Sequence, residues 1–166
     1  MELRISDVTV VGHFSIDSIF LPSRHPFVVL GGSVTYVSLV TKRLDGTASI
    51  ISKVGGDFPE AYMWWLQQEG IDLSGVIRLE NERTTRFELE YNKDLSNRTM
   101  RLKNRASPIN LSDLPSSLRA RAIHIAPIAG EISYEVVEHL KHCADVLSFD
   151  PQGLLRSFDE AGNVTY

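Results

Sequence analysis

With 166 residues, 17 Lys plus Arg against 21 Asp plus Glu and a formal net charge of −4, the chain has the length of about one domain and is too acidic for a surface that collects nucleic-acid phosphates. Its 43% hydrophobic and 23% charged residues exclude a disordered chain. One cysteine, Cys143, excludes an internal disulfide framework and a cysteine-rich zinc site, and reads as a small buried apolar group.

Apolar runs alternate with helix-like patterns, which predicts βαβ units and a mainly parallel sheet, hence an α/β fold. Residues 8–11 form a β-branched run closed by Gly12 and read as a buried first strand. A second extended run covers 27–30 and ends at Gly31-Gly32. Over 33–44, Val34, Val37, Val40, Thr41 and Leu44 recur at helical spacing, and Asp45-Gly46 ends the helix with Gly46 as a left-handed cap. Residues 48–54 are the next strand, followed by the turn Gly55-Gly56-Asp57. A helix over 59–69 has Pro59 at its first turn and Gly70 as its stop, and Trp64-Trp65 is expected to pack it onto the sheet. Thr85, Phe87, Leu89 and Tyr91 alternate with polar residues, and after a turn-rich stretch Met100 and Leu102 resume the alternation. These are strands inserted into the α/β rhythm, with too little core of their own to stand uncovered. Strands over 122–128 and 146–149 follow, with the helix stripe Ile132, Val136, Val137 and Leu140 between them.

Asp17 closes the segment Gly12-His13-Phe14-Ser15-Ile16-Asp17, just beyond the C-terminal end of the first strand. Ligands of open α/β sheets bind at that edge. There a carboxylate can accept hydrogen bonds from two adjacent hydroxyls of a sugar or polyol, or serve as a turn or helix-cap residue. Gly31-Gly32 sits between a strand and a helix N-terminus, where the backbone can approach a ligand or form a tight turn. Asp150-Pro151-Gln152-Gly153 also follows a strand, with Arg156 one turn on. Asp150 can bind a hydroxyl, bind a metal-bound water, or cap the turn. The five histidines (His13, His25, His124, His139, His142) show no ligand-like pairing and read as solvated or packing groups. There is no GxGxxG, GxxxxGK[ST] or GxSxG segment, so a nicotinamide-binding Rossmann enzyme is disfavoured and neither a Walker loop nor a serine-hydrolase elbow is present.

Taken in order, Val10-Val11-Gly12 through Asp17, Gly31-Gly32 before a helix, Val54-Gly55-Gly56-Asp57, and a helix ending in Glu69-Gly70-Ile71-Asp72 resemble the N-terminal half of ribokinase-like (PfkB-type) carbohydrate kinases. Asp150-Pro151-Gln152-Gly153 is similar to the Asp-Pro element of members that act on sugars, sugar acids and inositol. The resemblance implies one partial, truncated ribokinase-like domain over 1–166, a mainly parallel sheet flanked by helices, with lid strands at about 14–30 and 84–103. It implies that Asp17 binds substrate hydroxyls, that Gly31 and Gly32 let the substrate approach, and that Ser33, Tyr36 and Glu131 lie on the substrate side. Asp57, Asp150 and Arg156 are further candidates, and no metal ligand is implied. Tyr36 stands where many members have Asn, which points away from ribose toward another sugar, a polyol such as inositol, or a nucleoside.

The family's Asn-x-x-Glu element, which organises magnesium, is absent from this sequence. So is its Gly-Ala-Gly-Asp element, whose amides form an anion hole and whose Asp is the catalytic base. The resemblance therefore implies the substrate-binding half of an ATP-dependent sugar or polyol kinase that moves the γ-phosphate to a substrate hydroxyl, inactive alone. ATP and magnesium belong to complete members and are not held tightly by this chain. The alternative is a non-catalytic polyol- or nucleoside-binding or assembly module. Under either reading, the lid or an unpaired sheet edge predicts homo-oligomers, with no nucleic-acid or membrane partner. No segment approaches the ~20 apolar residues of a membrane span. The first residues lack the basic flank and apolar stretch of a secretory leader, so a cytoplasmic location is expected.

Overall fold

The computed structural model describes residues 5–166; residues 1–4, part of the stretch read as lacking a leader pattern, lie outside the described residues. Five parallel strands form the main sheet: β1 (Ser6–Val11), β4 (Ala48–Gly55), β5 (Asp72–Leu79), β8 (Ala120–Ile125) and β9 (Ala144–Phe149), in the order β5-β4-β1-β8-β9. β1 is central, with Val10 opposite Ile50 on one side and His124 on the other. Successive side chains of a strand point to opposite faces, so β1 and β4 feed two cores. Val10 and Ile50 join Phe14, Val34 and Leu66 beneath helices α1 (Ser33–Arg43) and α2 (Glu60–Gln68). Val11 and Ile51 join Ile123, Ile125, Val136 and Leu140 beneath helix α3 (Tyr134–Leu140) on the other face. Full burial of each such Leu, Ile or Val contributes about 1.5–3 kcal/mol.

A second, four-stranded sheet stands on this frame in the order β3-β2-β6-β7. Its members are β2 (Ser15–Phe20), β3 (Phe27–Gly31), β6 (Arg86–Tyr91) and β7 (Arg98–Asn104). β2 runs antiparallel to β3 and parallel to β6, and β6 runs antiparallel to β7. Phe87 and Leu89 pack inward on Ile128 and Ala129. Glu88 faces outward and pairs with Lys103 and Arg101 at 3.5 and 3.9 Å. One face is dry and one is wet, as an antiparallel layer over a core requires. After β9 come a short helix, α4 (Gln152–Leu155), and the hairpin β10 (Ser157–Phe158) and β11 (Val164–Thr165). That hairpin rests on β7, where Leu102 N donates to Gly162 O at 2.8 Å.

Four local readings are corrected. Helix α1 turns Val34, Thr35 and Ser38 into the core and leaves Val40 and Leu44 exposed. Its end is set by Asp45, at φ 59°, while Gly46 has no left-handed conformation; a short polar side chain tolerates that region. In α2 the buried residue is Leu66, with Tyr62 and Met63 beside it, whereas Trp64 and Trp65 are 63% and 37% exposed. Residues 62, 63 and 66 share a helix face and 64 and 65 lie off it. Strand β5 went unrecognised because an edge strand with Asp72, Ser74 and Arg78 carries no continuous apolar run.

Candidate functional site

The chain crosses between the two sheets four times, and buried polar groups fix those crossings. His13 lies between β1 and β2 and is fully buried. Its Nδ1 meets Thr85 Oγ1 at 2.9 Å just before β6, and its Nε2 meets Ser107 O at 3.1 Å just after β7. Thr85 Oγ1 already accepts from Ala106 N at 3.0 Å, so its proton goes to Nδ1 and Nε2–H donates to Ser107. Burial lowers the His13 pKa, which suits this neutral tautomer. Lys53, also buried, donates to Pro108 O at 2.9 Å and pairs with Asp113 at 2.6 Å. These contacts tie the segments that enter and leave the second sheet to the ends of β1 and β4.

Between the sheets lies a cavity of about 340 Å³. Its upper wall is built by strand register. Asp17 is paired with Val29 on β3 and with Phe87 on β6, and these three face inward with Ser15, Ile19, Leu89, Arg98 and Met100. The floor is the start of α1, with Gly32, Ser33 and Tyr36, together with Ile128, Gln152 and Arg156. Asp17 sits within β2 rather than in a turn after β1. Its Oδ1 is buried and has no hydrogen-bond partner among the described residues. Burial pushes its carboxyl pKa up; Ser15 and the Arg156 and Arg98 guanidinium groups pull back only in part.

Gly31 makes room for this carboxylate, since a Cβ there would collide with Asp17 Oδ2. Gly32, at φ 89°, would press a side chain onto His13 O and Phe14 Cα at 2.5 and 3.0 Å. Ser33 Oγ donates to Asp150 Oδ2 at 2.9 Å, and Asp150 Oδ1 accepts from Gln152 N at 2.9 Å. Asp150 thus caps the turn into α4 and ties it to α1, outside the cavity lining. Arg156 Nη1 donates to Ile128 O at 2.9 Å, with its guanidinium 5.2 Å from the centre of the Phe87 ring.

Two more candidates lie outside the cavity lining. Glu131 is fully buried and does not border the cavity. Its carboxylate accepts from the amides of His13 (3.0 Å), Ile128 (3.0 and 3.1 Å) and Ala129 (2.7 Å), so it pins the β8–α3 loop to the end of β1. The substrate-side placement of Glu131 is corrected on that ground: three backbone donors occupy the carboxylate. Asp57 accepts from Thr84 N at 2.7 Å and faces Arg86 at 3.8 Å, where the second sheet meets the β4–α2 turn. Arg98 was missed because residues 92–98 read as turn. Its signal is that it precedes Met100 and Leu102 by even steps and so shares their face.

The sequence pattern of the pfkB family carbohydrate kinases matches residues 6–159. The chain belongs to that family. It is 28% identical over 148 residues to a cytidine kinase of Thermococcus kodakarensis, covering 87% of this chain and 52% of that one. It is 27% identical over 157 residues to an inositol 3-kinase of Arabidopsis thaliana, covering 92% and 41%. Among solved structures, a pyrophosphate-dependent kinase in the ribokinase family, complexed with a pyrophosphate analog and myo-inositol, superposes with a TM-score of 0.79 at 25% identity. That superposition covers 96% of this chain and 54% of the other. The chain spans about half the length of the curated relatives it matches. Among the described residues, no helix is long and apolar enough to cross a membrane.

Proposed function

We propose that this chain forms the acceptor-binding half of a small-molecule kinase whose acceptor is polyhydroxylated: a sugar, a polyol such as inositol, or a nucleoside. The observation that carries the reading is Asp17 Oδ1, buried at the cavity without a donor. An unpaired buried acceptor costs about 1–3 kcal/mol, and a ligand hydroxyl would satisfy it. Asp17 would orient the acceptor, Gly31 and Gly32 would admit it, and Ser33 and Tyr36 would border it. Strands β6 and β7 would act as the lid that excludes water. Similarity to a cytidine kinase, an inositol 3-kinase and a kinase holding myo-inositol supports an acceptor of this class without choosing among them.

Phosphoryl transfer depends on positioning and on stabilising charge. The Asn-x-x-Glu and Gly-Ala-Gly-Asp elements expected to supply both are not in this sequence. Among the described residues, no group of three or more His, Cys, Asp or Glu is placed to hold a metal ion by protein ligands alone. The donor, ATP or pyrophosphate, is therefore assigned to the other half of a complete kinase, and this chain to acceptor binding, inactive alone and cytoplasmic. Calorimetric titration of myo-inositol, ribose and cytidine against the chain and its Asp17→Asn variant tests the reading. Binding of at least one, weakened about tenfold or more by the substitution, supports it; binding of none overturns it.

A second reading, an assembly module, is favoured by one specific feature. Among the described residues, strand β9 ends the main sheet unpaired on its outer side, with Val146, Phe149, Leu154 and Leu155 exposed on it and on the helix that follows. An open apolar edge is a template for another chain.

A further inference from the structure

One residue stands at all four crossings between the main sheet and the second sheet that roofs the cavity. His13 lies on the β1–β2 crossing itself. Its ring meets Thr85 Oγ1 at 2.9 Å on the β5–β6 crossing and Ser107 O at 3.1 Å on the β7–β8 crossing. At the β3–α1 crossing, Gly32 passes so close to His13 O that a Cβ there would stand 2.5 Å from it. Thr85 carries the contact into the roof. Its carbonyl accepts from Ile16 N at 2.9 Å, beside Asp17, and Phe87, two residues further on, is the register partner of Asp17.

This arrangement suits one protonation state. Neutral His13 takes the Thr85 proton at Nδ1 while Thr85 Oγ1 accepts from Ala106 N at 3.0 Å. A proton on Nδ1 would set two donors against each other. Thr85 is fully buried, and its hydroxyl hydrogen-bonds to no other group among the described residues. The hydroxyl would have to give up its acceptor, and a buried donor without one is costly. Four charged groups face the ring: Glu131 from the β8–α3 loop, Glu82 from the β5–β6 crossing, Lys53 from β4 and Arg105 from the β7–β8 crossing, with Asp113 paired to Lys53. The two signs oppose one another, and burial, which disfavours the charged ring, outweighs them.

We propose that His13 is a pH-operated latch on the roof: its neutral ring holds strands β6 and β7 shut over Asp17, and protonation frees them to open without unfolding of the main sheet. The consequence for ligand capture rests on reading the cavity as the acceptor pocket, whereas the latch itself stands apart from that reading.

The test is hydrogen exchange of the full chain at about pH 7.5 and 5.5, corrected for intrinsic amide rates. His13→Gln is the comparison that carries no charge at either pH, and each chain is checked for an intact thermal transition. Amides of β6 and β7 are expected to exchange through an opening of their own, faster than those of β1 and β4. With the ring at its ordinary pKa of about 6.5 in the open form, that opening should be about tenfold more populated at the lower pH. His13→Gln should abolish the response. Asp17, whose pKa is raised in the closed form, contributes with the opposite sign, so Asp17→Asn should enlarge the response. Exchange of β6 and β7 in step with β1 and β4, a response that survives in His13→Gln, or one lost in Asp17→Asn overturns the latch. Saturating myo-inositol, ribose or cytidine should suppress the opening in the parent chain. An opening that follows pH through His13 but ignores all three would sink the acceptor reading alone.

Discussion

The carboxylate of Asp17 lies in the space that a side chain at position 31 would fill. A Cβ on Gly31 would overlap Asp17 Oδ2 and approach Ser15 Oγ at 2.6 Å, and both are movable side-chain ends rather than backbone. Gly31→Ala should therefore fold, with a stability change within about 1 kcal/mol, while deflecting the carboxylate. Acceptor affinity is expected to fall about tenfold or more, because a displaced group of this kind loses its aligned hydrogen bonds. Urea denaturation beside calorimetry checks the split. A large loss of stability with unchanged affinity would contradict it. Gly32→Ala should behave in the opposite way, since its obstacles are backbone atoms and its φ is 89°.

Asp17 also sets a pH dependence whose sign follows from burial. Its pKa in the fold lies above the ordinary 3.8, so ionising it costs more in the native chain than in the unfolded one. The penalty is absent below the unfolded value and is complete once pH has risen through the raised native value. Asp17→Asn should consequently melt higher than the parent at neutral pH, with the gap closing as pH falls toward 4. Thermal melts across pH 4–8 measure the gap, and a gap independent of pH would count against a strained carboxylate.

His13 works in the other direction. Burial holds its pKa below the ordinary 6.5, so the unfolded chain takes up a proton first as pH drops. Stability is intact above about 6.5 and is lost progressively below it, down to the lowered native value. His124 is shifted the same way and adds to the slope. Imidazole NMR resonances assign the share of each residue. Those of His13 should keep the neutral form, protonated at Nε2, well below pH 6.5, and a His13 titration near its ordinary value would refute the hinge network.

Glu131→Ala removes the acceptor of three buried amides at once. Each orphaned donor costs about 1–3 kcal/mol, and breaking such a cluster typically totals about 3–5 kcal/mol. The amides of His13, Ile128 and Ala129 should lose hydrogen-exchange protection together. Glu131→Gln, which keeps one acceptor oxygen, should cost less.

At the far edge, Val146→Lys places a charge on the exposed strand β9. If the chain self-associates through that edge, light scattering should show a lower mass for the variant at equal concentration. An unchanged mass would move association to another surface.

Much of the frame was legible because its central parallel strands are dense in apolar, β-branched residues. Residues 8–11 and 48–54 announce themselves in this way, and Phe87 and Leu89 announce the second sheet by alternation. What could not be read depends on register and on neighbours distant in sequence. Nothing near Gly31 or near Asp17 says that Ser15 pairs with Gly31, yet that pairing sets the close approach of the carboxylate to the glycine. Glu131 carries the residue type of a ligand group and is used as a brace, because its amide partners come from positions 13, 128 and 129. Trp64 and Trp65 are large enough to suggest burial, but their helix shows the sheet a different face.

The parallel pairing of β2 with β6 joins two stretches of chain separated by nearly the whole of the first core. The inward residues of β6 and β7 therefore share few neighbours with the side chains that hold helices α1 and α2 to the frame. Selection can alter Phe87, Arg98 or Met100 with little toll on that core, so the roof is the inexpensive place for descendants of this sequence to acquire a new taste in ligands.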